Sequence, residues 1–222
     1  MLGADLGLAL TYASVRERAP LAALFAIDRA MGDVVRTTRE PLLGPVRLAW
    51  WRERLEDLDA GISAPAEPRL VAVERHLLPR EVTGHDLSSL EAGWLRLFDP
   101  FPWSVETSDA IRFRGNLLFG LGAKVLAVND DRIESAGGLW ALTDAARRCS
   151  DAPSRALLLD QARTFARALG GEKFPTALRP LSVLAAVAIR DCRRDEPLEA
   201  EGTPGRAATM LRHRFTGALP RP

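Results

Sequence analysis

A chain of 222 residues, 47% hydrophobic and 27% charged, carries enough apolar material for one large domain with a sizeable core. Thirty Lys and Arg stand against 29 Asp and Glu, a formal net charge of +1, and no basic block or repeat points to a nucleic-acid partner. Cys149 and Cys192 lie far apart without CxxC or CxxH spacing, which supports neither a zinc site nor a disulfide framework and suits a reducing compartment.

In chain order, Leu2 to Tyr12 reads as a short apolar helix. This N-terminus lacks a basic n-region and a convincing cleavage site, and no apolar run approaches the length of a membrane span. The expectation is a cytoplasmic protein that is not transmembrane, with peripheral membrane contact open. Ser14 to Pro20 is a polar break. From Leu24 to Gly61 two helices are joined by a Pro/Gly turn. The first carries a helical stripe of Leu21, Leu24, Phe25, Ile27, Met31, Val34 and Val35. The second begins after Gly44-Pro45 and carries Val46, Leu48, Trp50, Trp51, Leu55 and Leu58. The stretch ISAPAEP after Gly61 suits a loop within a bundle better than a domain boundary.

Arg69 to Leu78 reads as a short helix ended by Pro79; Asp86 could cap the next, running to Phe98 and stopped by Pro100 and Pro102. Trp103 to Val128 is a long helix interrupted by Gly115, Gly120 and Gly122, each costing roughly 1 kcal/mol relative to alanine. Close approach of another helix is the default explanation, a ligand the other. Helices follow over Ile133 to Cys149 and over Ala156 to Leu169, and Pro175 to Arg190 is apolar nearly all round, as a central buried helix would be. A charged loop, DCRRDEPLEAEGTPG, precedes a last helix, Arg206 to Leu219. Its basic face of Arg206, Arg212, His213 and Arg214 is a candidate for an acidic membrane surface or partner, or an ordinary solvated face.

His76, His85 and His213 share no metal-ligand spacing and form no triad. Trp50 and Trp51 face different ways, so at least one belongs to the core, and Arg47 and Arg54 are spaced to stack on them. Asp33, four residues after Arg29 and three before Arg36, is placed for a surface ion pair.

The order LFAIDRAM, a turn, then Arg47-Leu48-Ala49-Trp50-Trp51-Arg52 and an acidic stretch resembles the squalene/phytoene synthase family. Within it the closer likeness is to the branch resembling the mitochondrial complex I assembly factors. The resemblance implies an all-α, single-domain helical bundle over residues 1–222, a shortened isoprenoid synthase fold. In active members, aspartates at i and i+4 of the first long helix share a face and hold Mg²⁺ against a substrate diphosphate. Here Gly32 and Arg36 fall on those positions, and the remaining Asp28 and Asp33, five residues apart, point about 140° from each other on a regular helix. In the second aspartate-rich motif, aligned on Leu142-Thr143-Asp144 and Arg147, Arg148 and Ala152 replace metal-binding positions and Asp151 is retained.

The resemblance also implies a prenyl cavity, whose expected lining is Phe25, Trp51, Gly115, Leu118, Phe119 and Gly122. Arg36, Arg47 and Arg148 could bind an anion there without a metal, or could pair with Asp33, Asp144 or Asp151. No catalytic residue is assigned. The function so implied is a non-catalytic protein, like the assembly factors, binding an isoprenoid, another lipid or a partner protein at a membrane, with no cofactor. The alternative is a Mg²⁺-dependent transferase condensing isoprenoid diphosphates; a purely structural dimerising bundle is the third.

Overall fold

Helices account for nearly all of the regular structure in the computed structural model, which describes residues 3–40, 42–193 and 198–221. Among those residues there are eleven α-helices: α1 Ala4–Leu10, α2 Val15–Thr37, α3 Leu43–Asp59, α4 Pro68–His76, α5 Gly84–Ser88, α6 Glu91–Leu95, α7 Val105–Val125, α8 Arg132–Arg148, α9 Ala152–Leu169, α10 Arg179–Cys192 and α11 Pro204–Thr216. Single 3-10 turns fall at Leu78–Arg80, Arg96–Phe98 and Thr176–Leu178. The described residues form no strand, only an isolated antiparallel bridge between Lys173 and Ala218. The all-α expectation holds. Of the charged loop before the last helix, residues 194–197 lie outside the described residues, as does Leu2 at the start of the expected first helix.

Boundaries shift for local reasons. The polar break expected over Ser14 to Pro20 is instead the first turn and a half of α2, entered through Ser14, whose N–H donates to the Glu17 carboxylate at 3.3 Å. Pro20 inside the helix has no N–H to offer the Arg16 carbonyl, and Arg80 Nη2 donates to that carbonyl at 3.2 Å in its place. The expected helix from Asp86 to Phe98 is divided into α5, α6 and the 3-10 turn that follows. Thr83 is its cap, its hydroxyl accepting from the Asp86 N–H at 3.0 Å and its own N–H donating to the Asp86 carboxylate at 3.1 Å. Asp59, at the end of α3, receives the Gly84 and His85 N–H groups at 2.7 and 2.8 Å and so fixes α5 across α3.

α10 is the central helix, buried along nearly its whole length from Pro180 to Cys192. α7 and α8 pack closely on each other through reciprocal glycines. A Cβ on Gly115 would lie 2.3 Å from the Gly137 carbonyl oxygen, and one on Gly137 would lie 2.1 Å from the Gly115 oxygen. A Cβ on Gly122 would lie 2.9 Å from the Leu181 side chain of α10. Helix packing, not a ligand, explains both positions. Trp51 is buried and Trp50 is exposed beside it in an edge-on pair at 5.0 Å. The expected stacking of Arg47 and Arg54 on these rings is replaced: Arg69 lies over Trp51 at 5.7 Å, Arg47 donates to the Thr37 and Thr38 hydroxyls, and Arg54 pairs with Asp57. In α11, Arg206 and His213 are buried, so the expected basic face is reduced to Arg212 and Arg214.

Candidate functional site

A cavity of about 440 Å³ opens at the end of the bundle where α2 and α8 finish. Its residues follow helical periodicity: Phe25, Asp28, Arg29, Gly32 and Arg36 on α2; Trp140, Thr143, Asp144, Arg147 and Arg148 on α8; Leu184, Val187, Ala188 and Asp191 on α10. Trp94, Leu97, Phe101 and Trp103, from α6 and the segment leading to α7, add to the lining. The wall is therefore aromatic and aliphatic, while arginines and carboxylates occupy its inner end and its mouth. Phe25 and Trp140 of this wall interlock with Phe119 outside the lining, with ring centroids 5.6–6.3 Å apart.

One buried cluster fixes the wall between α2, α6 and α7. Asp28 accepts from Arg114 Nη1 at 2.7 and 2.9 Å and from Trp94 Nε1 at 2.9 Å, while the Arg114 guanidinium stacks 3.9 Å from the Trp94 ring centre. Both charged partners are almost wholly buried. Arg114 Nε has no hydrogen-bond partner. The Trp94 ring also explains Gly32, because a Cβ there would lie 2.6 Å from the indole. An aspartate at this position would require Trp94 to move.

A second cluster closes the inner end. Arg206 bridges Asp5 of α1, at 2.7 Å, and Asp191 of α10, and Arg147 of α8 reaches the other Asp191 oxygen at 2.6 Å. Arg147 also donates to the Glu199 carbonyl, and the Gly202 N–H donates to Asp5 at 3.0 Å. Burial works against the Arg206 charge, but Asp191 and Asp5 outweigh it and hold the guanidinium above its ordinary pKa. Nearby, burial raises the Cys149 thiol, so it stays protonated at neutral pH.

At the mouth, Arg36 pairs with Asp33 at 3.2 Å and Arg148 with Asp144 at 2.8 Å. The Asp144 hydrogen bond and charge raise the Arg148 pKa. These side chains are more open than the buried clusters, Arg36 at 70% and Arg148 at 48% exposure. Each guanidinium turns Nε and one terminal nitrogen to its carboxylate, leaving the other terminal nitrogen on the opposite edge.

Asp28, Gly32, Asp33, Arg36, Asp144 and Arg148 are thus brought to one cavity, with Phe25 in its wall. The other expected residues are placed elsewhere. Asp151 caps α9, accepting from the Ser154 N–H at 3.0 Å and its hydroxyl at 2.5 Å, which lowers its pKa. Arg47 ties α3 to the end of α2, and Trp51 is core under Arg69. Gly115, Leu118, Phe119 and Gly122 are packed among helices and lie outside the lining. Trp94, Arg114, Asp5 and Asp191 carry much of the geometry and were not singled out, and Arg206, expected on the basic face of the last helix, is instead buried in this cluster. The available signal was a charge inside an apolar stripe: Asp28 sits between Leu24 and Met31 at helical spacing.

A Mg²⁺ cluster does not fit this donor set. Asp28, Asp33 and Asp144 are each engaged by an arginine, and among the described residues no three His, Cys, Asp or Glu side chains are grouped to hold one ion. No helix among the described residues is long and apolar enough to cross a membrane. No protein-family model, curated protein or solved structure matches the chain.

Proposed function

We propose that the chain is a non-catalytic binding protein whose cavity receives an isoprenoid or similar lipid bearing an anionic head group. The observation that carries this is the composition of one cavity: aromatic and aliphatic walls, with Arg36 and Arg148 at the mouth where the resembled family has metal-binding aspartates. Guanidinium groups donate to phosphate bidentately, and the edge of each arginine turned away from Asp33 or Asp144 can do so, a phosphate at Arg148 competing there with Glu201 at 3.9 Å. A volume of about 440 Å³ is in the ordinary size range of small-molecule sites. Asp28, Asp33 and Asp144, the carboxylates that would have to hold Mg²⁺ against a departing diphosphate, are each engaged by an arginine, which favours binding over transfer. The role is thus of the kind that the RLAWWR resemblance to respiratory complex I assembly factors implies, with a partner protein as its further component.

Trp94, Trp103 and Trp140 in the wall supply the readout. Titration with farnesyl diphosphate in EDTA should change tryptophan fluorescence saturably, with farnesol and inorganic pyrophosphate each binding more weakly. Charge-assisted hydrogen bonds contribute about 1.5–3 kcal/mol each, so the Arg36→Ala/Arg148→Ala variant should bind at least about tenfold more weakly. Binding that is absent, or unchanged in that variant, rejects the proposal. Mg²⁺-dependent pyrophosphate release with a joined organic product would replace it with the transferase reading.

A further inference from the structure

α3 has two apolar faces. Leu48, Trp51, Leu55 and Leu58 are buried in the core. On the opposite side Leu43, Val46 and Trp50 follow one another at i, i+3 and i+7, and with Leu42 just before the helix they are 48%, 65%, 41% and 87% exposed. The stripe is confined to the first half of the helix, since Glu53 and Asp57 continue that face. From Arg36 to Trp50 the chain carries three arginines, Arg36, Arg39 and Arg47, and one glutamate, Glu40. Arg47 is fastened to the Thr38 hydroxyl at 2.7 Å, so the stripe is held beside the end of α2, next to Arg36 at the cavity mouth. Phe98 packs against Gly44 at the start of α3, and Phe101, three residues on, is both half-exposed and part of the cavity lining.

We infer that this end of the molecule docks on an anionic lipid bilayer, with Leu42, Leu43, Val46 and Trp50 inserted among the acyl chains and Arg39 and Arg47 at the phosphates. Four side chains on half a helix are far too small a surface for a stable protein interface, which takes roughly 20–30 residues a side. Shallow insertion of a few apolar side chains, with an indole at the headgroup level and arginines around it, matches what a bilayer surface accepts. Docked this way, the cavity mouth meets the bilayer, and a lipid enters without crossing bulk water. That last consequence rests on the proposed cavity function; the docking does not.

The test is co-sedimentation of the full chain with phosphatidylcholine vesicles, with and without phosphatidylglycerol. The wild type should bind the anionic vesicles, more weakly at about 0.5 M NaCl. The Val46→Ser/Trp50→Ser variant should lose at least about tenfold in partitioning, and Leu42→Ser, outside the helix, should lose part of it. Farnesyl diphosphate binding without vesicles should be the same in these variants as in the wild type, which separates docking from cavity function. Failure of the wild type to bind vesicles overturns the inference, as does equal binding by the folded variants. A solution dimer that these substitutions dissociate, with vesicle binding intact, also overturns it and assigns the stripe to a second copy.

Discussion

Asp28 is the residue on which the cavity wall depends, and its replacement separates two kinds of contribution. A buried ion pair is often no better than a well-packed apolar pair, yet removing one partner strands the other charge. Asp28→Ala, which leaves Arg114 buried opposite Trp94, should therefore lower unfolding free energy by about 3–5 kcal/mol in urea denaturation. Asp28→Leu combined with Arg114→Met should recover most of that loss. His213 gives a pH-dependent counterpart. Its Nε2 faces the Ser182 hydroxyl at 2.9 Å and its Nδ1 the Ala218 carbonyl at 3.1 Å, and burial lowers its pKa from 6.5. The unfolded chain then binds this proton at a higher pH than the folded one. The resulting stability is complete above about 6.5 and declines as pH falls below it toward the depressed folded value. Thermal melts at pH 7.5 and 5.5 should show a smaller difference for His213→Asn, which keeps a donor near the Ala218 carbonyl and cannot be charged.

Helix ends and helix crossings decide the elements, and they differ in how far the sequence announces them. Gly115 and Gly120 look alike in the sequence of α7. Alanine at Gly115 would strike the Gly137 backbone, whereas at Gly120 it would meet only the end of the Glu134 side chain at 3.3 Å. Gly115→Ala should cost about 1–3 kcal/mol despite its better helix propensity. Gly120→Ala should be neutral or stabilising by up to about 1 kcal/mol, both read from chemical denaturation. Ala127, left-handed at φ 53° just past α7, occupies a place that glycine takes without strain, and Ala127→Gly should raise stability by about 0.5–1 kcal/mol. The 3.6-residue apolar stripes made α2 and α3 legible, because each buries one face, and unbroken apolarity did the same for α10, which buries nearly all of itself. Pro20 misled the reading of α2 because the group that satisfies the freed Arg16 carbonyl is Arg80, far along the chain. The same distance hid half of the cavity: Asp28 and Arg36 lie on a recognisable helix, but Arg114 takes its role from Asp28, 86 residues away, and Arg206 joins Asp191 to Asp5, 201 residues away.

Across the whole molecule, the cavity collects Arg29, Arg36, Arg114, Arg147, Arg148 and Arg206 together with Asp5, Asp28, Asp33, Asp144, Asp191 and Glu201. Positive and negative groups are equal in number, so the lining presents little net field to the surrounding solution. Proteins that draw in charged ligands rapidly do so with clefts of one sign, and their encounter rates fall steeply with ionic strength. Here a stopped-flow association rate for an anionic ligand should change little with salt. The loss of Arg36 and Arg148 should appear almost entirely as faster dissociation. A cavity built this way retains what reaches it and does little to attract it from a distance.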